Sequence, residues 1–153
     1  MTKENYSILM SVYYKEKPEW LEQSIESMMK QTILTNDFVI IKDGKLTEEL
    51  DRVIDTYCQR YPDIFHVVEL ERNMGLGPAL AIGIHECKNQ YIARMDSDDI
   101  SIPTRCQKQL EKFQEDPELD MIGSSIAEFI DTIDNVQAYR NLPESDEEIK
   151  KFA

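Results

Sequence analysis

Short apolar runs alternating with segments of helical period constrain this chain more than any other feature of it. Ser7-Ile8-Leu9-Met10-Ser11-Val12-Tyr13 suits a buried strand, and Pro18 behind it suits the first turn of a helix. That helix sets Trp20, Leu21, Ile25, Met28 and Met29 on one side, which marks them as core. Asp37 to Ile41 reads as a second strand ending at Lys42-Asp43-Gly44. Thr47-Glu48-Glu49 then opens a helix that continues through Leu50, Val53, Ile54, Tyr57 and Cys58. A strand from Ile64 to Leu70, a loop at Arg72-Asn73-Met74-Gly75, a helix from about Pro78 to Cys87 and a strand from Tyr91 to Met95 repeat the pattern. Pro103 starts another helical stretch with Cys106, Leu110 and Phe113, and a further strand is expected over about Asp120 to Ile126. The alternation implies an α/β fold with a mostly parallel sheet and helices on both faces. Such sheets bind ligands at the carboxyl ends of their strands. That rule gathers Tyr13-Tyr14, Asp43-Gly44, Arg72 to Gly75 and Asp96 to Asp99 on one rim.

The 153 residues, 41% of them hydrophobic, are enough for one core, so a single domain over 1–153 is expected. A formal net charge of −13 argues against nucleic acid and against a polybasic membrane contact, both of which need clustered Lys and Arg. From Glu111 onward twelve acids face four bases, so the last third is a poor site for phosphate. Cys58, Cys87 and Cys106 are odd in number and widely spaced, which suggests neither a disulfide framework nor a zinc site and fits a reducing cytoplasm. No apolar run approaches the ~20 residues of a membrane span, and Met1 to Asn5 lacks the apolar stretch of a signal peptide. The chain reads as soluble and cytoplasmic.

The run Tyr91-Ile92-Ala93-Arg94-Met95-Asp96-Ser97-Asp98-Asp99 carries the chemistry. Its three carboxylates within four positions repel one another unless something positive sits among them. A divalent cation, Mg²⁺ or Mn²⁺, answers that need and leaves coordination positions for substrate phosphates. An isolated D-x-D is more often an acidic turn capping the next helix; its place at a strand end tips the balance here. Arg72 and Arg94 could meet phosphate oxygens, although surface ion pairs are the commoner use of arginine. Asp43, acceptor-only when ionised, could take the N–H of a base, against the plainer reading of Asp43-Gly44 as a turn.

The ordered set of Asp43-Gly44 after a strand, Arg72-Asn73-Met74-Gly75-Leu76-Gly77 before a helix, and Ala93 to Asp99 followed by Pro103 and Arg105 resembles the family 2 glycosyltransferases of GT-A fold. Bacterial enzymes of polysaccharide, capsule and lipopolysaccharide assembly are the most similar, and the match runs from residue 6 to about 126. The resemblance implies a Rossmann-like GT-A domain and inverting, metal-dependent transfer of a sugar from a nucleotide-diphosphate sugar, a UDP-sugar for choice, to a saccharide or lipid-linked acceptor hydroxyl. Carried over by position, Asp43 would recognise the base and Val12, Tyr13 and Tyr14 would line its pocket. Arg94 and Asp96 would lie near ribose and sugar, with Arg72, Asn73 and Gly75 in the neighbouring donor-binding loop. Asp98 would coordinate the metal, with Asp99 as a competing ligand.

Two departures qualify the resemblance. Lys42-Asp43-Gly44-Lys45 stands where many members have two acids and a serine, which leaves the base open. Nothing after Ile126 matches the acceptor-binding half or its catalytic Asp: Glu128, Asp131, Asp134 and the Glu144 to Glu148 cluster read as acidic surface and a final helix. The chain thus reads as the donor-binding half of a longer enzyme, with little or no activity alone and no assignable base. The longer protein would lie in the cytoplasm or at the inner membrane face. Apolar surface left uncovered would favour a homo-oligomer, which sedimentation at micromolar concentration would reveal.

Other classes fare worse. Gly75-Leu76-Gly77 lacks the third glycine of a dinucleotide fingerprint and follows the third strand rather than the first. A calcium loop from Asp96 would have Ser101 and Gln107 where Gly and Glu belong. Nucleotidyltransferases share the rim logic and stay open, but they usually carry a Gly- and Arg-rich loop after the first strand, which Tyr13-Tyr14-Lys15-Glu16 is not. His66 and His85 have no second ligand at metal spacing. A non-catalytic nucleotide-sugar-binding or interaction domain is the serious alternative from another class.

Overall fold

The first apolar run is buried along almost its whole length, as expected of an inner strand covered on both faces. The computed structural model describes residues 5–152. Its elements are β1 (Tyr6–Val12), α1 (Pro18–Met29), β2 (Asp37–Lys42), α2 (Glu48–Arg60), β3 (Phe65–Glu69), α3 (Leu76–Glu86), β4 (Tyr91–Asp96), α4 (Arg105–Glu115), β5 (Ile126–Phe129), β6 (Val136–Arg140) and α5 (Asp146–Phe152). The chain divides into two compact units, the first ending at Lys112 and the second beginning at Phe113.

In the first unit four strands form a wholly parallel sheet in the order β3-β2-β1-β4. Alternate residues of β1 point to opposite faces. Tyr6, Ile8, Met10 and Val12 pack with Phe38 and Ile40 against Leu21, Ile25 and Met28 of α1, Leu50 and Ile54 of α2, and Cys106 and Leu110 of α4. Leu9, Val39 and Ile41 face the other way onto Ala79 of α3. That approach is close: a Cβ at Gly83 would lie 2.3 Å from Leu9 Cδ1. The edge strand β3 is anchored by Phe65, whose ring stacks on Phe38 with centroids 4.7 Å apart.

Local chemistry sets the helix starts. Pro18 fills the first turn of α1, and the Thr47 hydroxyl accepts the Leu50 N–H at 3.3 Å to cap α2 above three acids in its first turn. At the amino end of the sheet the fully buried Asp37 accepts the Ser7 hydroxyl at 2.6 Å and the Lys88 N–H at 2.8 Å, fastening β1, β2 and the α3–β4 turn together.

In the second unit the strand expected over about Asp120 to Ile126 is displaced. Residues 120–125 carry no regular structure, and β5 begins at Ile126 and pairs antiparallel with β6 in a two-stranded sheet. A local turn decides this: Asp131 adopts φ 64°, and the Ile130 N–H meets the Asn135 carbonyl at 3.2 Å. That turn folds the chain back onto its own neighbour instead of sending it to the parallel sheet. Similarly α4 starts at Arg105 rather than Pro103. Among the described residues no helix is long and apolar enough to cross a membrane.

Candidate functional site

From β1 the chain proceeds to β2 on one side, whereas β4 arrives later on the other. The loops leaving β1 and β4 therefore diverge and open a crevice at the carboxyl end of the sheet. Ser11 of β1 is the register partner of Asp96 of β4, so the two strands present their last residues side by side. A pocket of about 320 Å³ occupies this crevice. Ser11, Tyr13 and Glu16 line it from the β1 side, Asp96, Ser97 and Asp98 from the β4 side, and Asp43, Asn73, Gly75 and Leu76 close it behind.

Asp43 is 3% exposed and holds the neighbouring loop. One carboxylate oxygen accepts the Met74 N–H at 2.7 Å and the other the Gly75 N–H at 3.0 Å, while the Asp43 N–H reaches the Val12 carbonyl at 2.8 Å. The next residue must be glycine for two reasons: Gly44 has φ +84°, and a Cβ there would fall 2.6 Å from the Asn73 nitrogen. Each Asp43 oxygen keeps a second lone pair for another donor.

Carboxylates crowd the β4 end. Asp96 is paired with the Arg94 guanidinium, and its carbonyl accepts the Ser24 hydroxyl at 2.7 Å. Ser97 is buried and donates to the Glu16 carboxylate. Asp98 reaches the pocket with no hydrogen bond or ion pair among the described residues. The Asp99 carboxyl is held above its usual range: partial burial raises it most, the charges of Asp96 and Asp98 add to that, and Arg94 and Arg105 draw it back. Arg105 itself packs its guanidinium between the sulfurs of Met95 and Met28, each at 3.6 Å.

Among the described residues no three acidic, His or Cys side chains converge into a finished metal cage. One or two free carboxylates beside an open pocket are nevertheless what Mg²⁺ or Mn²⁺ uses when substrate phosphates supply the remaining oxygens. An unpartnered Asp98 and a repelled Asp99 fit such a cation.

The model of the family "Glycosyl transferase family 2" matches residues 7–152. The chain belongs to that family. It is similar to the amylovoran biosynthesis glycosyltransferase AmsE of Erwinia amylovora, 38% identical over 97% of this chain and 54% of the relative. It spans about half the length of the curated relatives it matches. Its fold matches S. aureus TarS residues 1–349, solved with UDP, at TM-score 0.66 and 16% identity over 92% of this chain and 38% of that one. It also matches the mannosyltransferase PcManGT of Pyrobaculum calidifontis, solved with GDP-Man and Mn²⁺, at TM-score 0.64 and 14% identity over 80% and 34% of the two chains. The fold is thus the GT-A glycosyltransferase fold, with the mostly parallel sheet expected of it.

Within this family 2 chain the pocket brings together Tyr13, Asp43, Asn73, Gly75, Asp96 and Asp98 of the residues singled out in the sequence. Val12 contributes its carbonyl to Asp43 just behind them, and Tyr14 lies against Tyr13 with ring centroids 6.0 Å apart, outside the lining. Arg72 is exposed and also outside the lining, Arg94 is turned to Asp96, and Asp99 stands beside the pocket. Ser11, Glu16, Leu76 and Ser97 line the pocket although sequence reasoning assigned none of them a role in the site. Ser11 and Ser97 sit next to flagged residues, and a rule that includes strand-end neighbours would have found them. Glu16 carries no local signal.

Proposed function

We propose that this chain is the donor-binding half of a metal-dependent, inverting glycosyltransferase. The enzyme moves a sugar from a nucleotide-diphosphate sugar, a UDP-sugar for choice, to an acceptor hydroxyl in cell-surface polysaccharide synthesis. The observation that carries the proposal is the D-S-D segment opening into a pocket at the topological switch point, with Asp43 and Tyr13 on its other walls. In this reading Tyr13 and the free lone pairs of Asp43 receive the base, and Asp96 with its paired Arg94 lies near ribose and sugar. Asp98 and Asp99 would hold the divalent cation, which supplies charge neutralisation for the departing nucleoside diphosphate. The backbone N–H bonds to Asp43 keep the Asn73–Gly75 loop against the pocket wall, so the site is formed before the nucleotide arrives. No base for the acceptor hydroxyl is assigned on this chain. It should bind donor better than it turns it over, with slow hydrolysis the most expected.

Calorimetric titration with UDP, GDP and dTDP, each with and without Mn²⁺, tests the proposal. One nucleotide should bind in a metal-dependent way, and Asp98→Ala should weaken that binding by about tenfold or more, an energy of about 1.4 kcal/mol. Metal-dependent binding that survives Asp98→Ala unchanged overturns the metal assignment. Metal-independent binding by the parent chain favours a non-catalytic nucleotide-sugar-binding module instead.

A further inference from the structure

The segment from Glu16 through α1 is stitched to the acidic loop by a seam of side chains. Ser97 donates to Glu16, Ser24 donates to the Asp96 carbonyl at 2.7 Å, and the Ser27 hydroxyl accepts the Ser101 N–H at 3.0 Å. The Gln31 amide closes the seam, donating to the Ile102 carbonyl at 2.9 Å and accepting the Cys106 N–H at 3.1 Å. Every partner on the far side lies between Asp96 and Cys106, so α1 with the residues that lead into and out of it fastens the acidic stretch at several points.

On the side of the seam that leads into α1, Glu16 also lines the pocket, as Asp96 and Ser97 do on the other side. Its backbone is tied by the Glu16 N–H to the Tyr13 carbonyl at 3.1 Å, and its other carboxylate oxygen accepts the Lys17 N–H at 2.9 Å. One oxygen is thereby fixed to its own turn and the other to Ser97, the central residue of D-S-D, which is 6% exposed. A fourth carboxylate beside Asp43, Asp96 and Asp98 raises the repulsion in the pocket and so calls for a role that offsets it. Its engagement on both oxygens sets it apart from Asp98, which has no hydrogen bond or ion pair among the described residues.

We infer that Glu16 is a positioning residue for the D-S-D segment, acting through the Ser97 hydroxyl to fix where Asp96 and Asp98 stand. It orients the carboxylates without being a metal ligand itself, and its effect on metal-dependent nucleotide binding rests on the reading of the pocket proposed above. What the position requires is an acceptor for Ser97, which an amide oxygen also supplies, while the exposed Lys17 N–H is left to water.

Two measurements on the whole chain test this, with Glu16→Ala, Glu16→Gln, Ser97→Ala and the Glu16→Ala/Ser97→Ala double variant. Amide hydrogen exchange over residues 96–99, without metal or nucleotide, should speed up in Glu16→Ala and Ser97→Ala alike and stay near the parent rate in Glu16→Gln. In titrations of UDP with Mn²⁺, Glu16→Ala and Ser97→Ala should each lose about tenfold in affinity. The double variant should lose no more than either single one, and Glu16→Gln should stay within about threefold of the parent. Unchanged exchange and affinity in Glu16→Ala overturn the inference, as does a Glu16→Gln loss equal to that of Glu16→Ala, which would make Glu16 a ligand. Should Glu16→Ala not fold, Ser97→Ala and Glu16→Gln carry the same comparison. Asp98→Ala separates the two levels: if it alone removes metal dependence, only the role of Glu16 fails, and if it removes nothing, the site reading fails too.

Discussion

At the residue scale, Asp43 shows how one side chain can be both scaffold and candidate ligand group. Both its oxygens already hold backbone N–H groups, so Asp43→Ala would strand the Met74 and Gly75 donors as well as empty part of the pocket wall. We expect it to lower unfolding free energy by about 2–3 kcal/mol, read from urea denaturation, and to weaken nucleotide binding in the same protein. A loss of binding with stability unchanged would mean that the two N–H groups find other partners. Asp43 and the D-S-D carboxylates were legible in the sequence because each follows a run that can only be a strand, and strand ends share one rim. Glu16 was not. It reaches Ser97 across 81 positions of sequence, and nothing in the local pattern of either residue announces the other.

At the element scale, α3 owes its place to a missing side chain. Gly83 lets the helix approach until Leu9 Cδ1 stands 2.3 Å, and Ile41 Cγ1 3.0 Å, from where its Cβ would be. Gly83→Ala gains helix propensity, but the overpacking outweighs it, and a net loss of about 1–3 kcal/mol is expected in thermal or chemical unfolding. A neutral or stabilising result would show that Leu9 can swing clear. The core helices were readable from period, except that Trp20, assigned to the core face of α1, is 43% exposed and lies under the Lys17 ammonium at 3.9 Å. The strand misplaced near Asp120 was not, because its partner was chosen by the turn around Asp131 to Asn135 rather than by its own composition.

At the scale of the whole molecule, burial and ion pairing set a direction for alkaline stability. Burial pushes the Cys87 thiol up to about 11 and the Tyr57 phenol to about 12, with nearby acids adding to both. Burial alone would lower Lys42, but the hydrogen bonds its ammonium donates to Asp51 and Glu69 outweigh that and raise it above its ordinary value. In each case the folded state holds its proton more tightly than the unfolded one. Stability is therefore complete below the unfolded pKa values and falls as pH rises through the folded ones. Melting temperature should stay level to about pH 9 and decline steadily above it. A melting temperature that rises between pH 9 and 11 would contradict those assignments.

The sequence by itself determined the alternation of strands and helices, the parallel sheet with both faces covered, the rim on which Asp43 and Asp96 to Asp98 meet, and membership of family 2. The alternation and the sheet follow from periodicity, the rim from the rule that strands of a parallel sheet end on one side, and the family from its resemblance to an ordered set of motifs. Only the tertiary structure decided that Asp43 braces a loop, that Arg94 is taken up by Asp96, that Arg72 stays outside the pocket, and that Glu16 and α1 hold the acidic loop in place. Those outcomes depend on which polar groups find partners once distant segments are packed. A one-residue change in approach there reassigns a hydrogen bond without altering any local pattern.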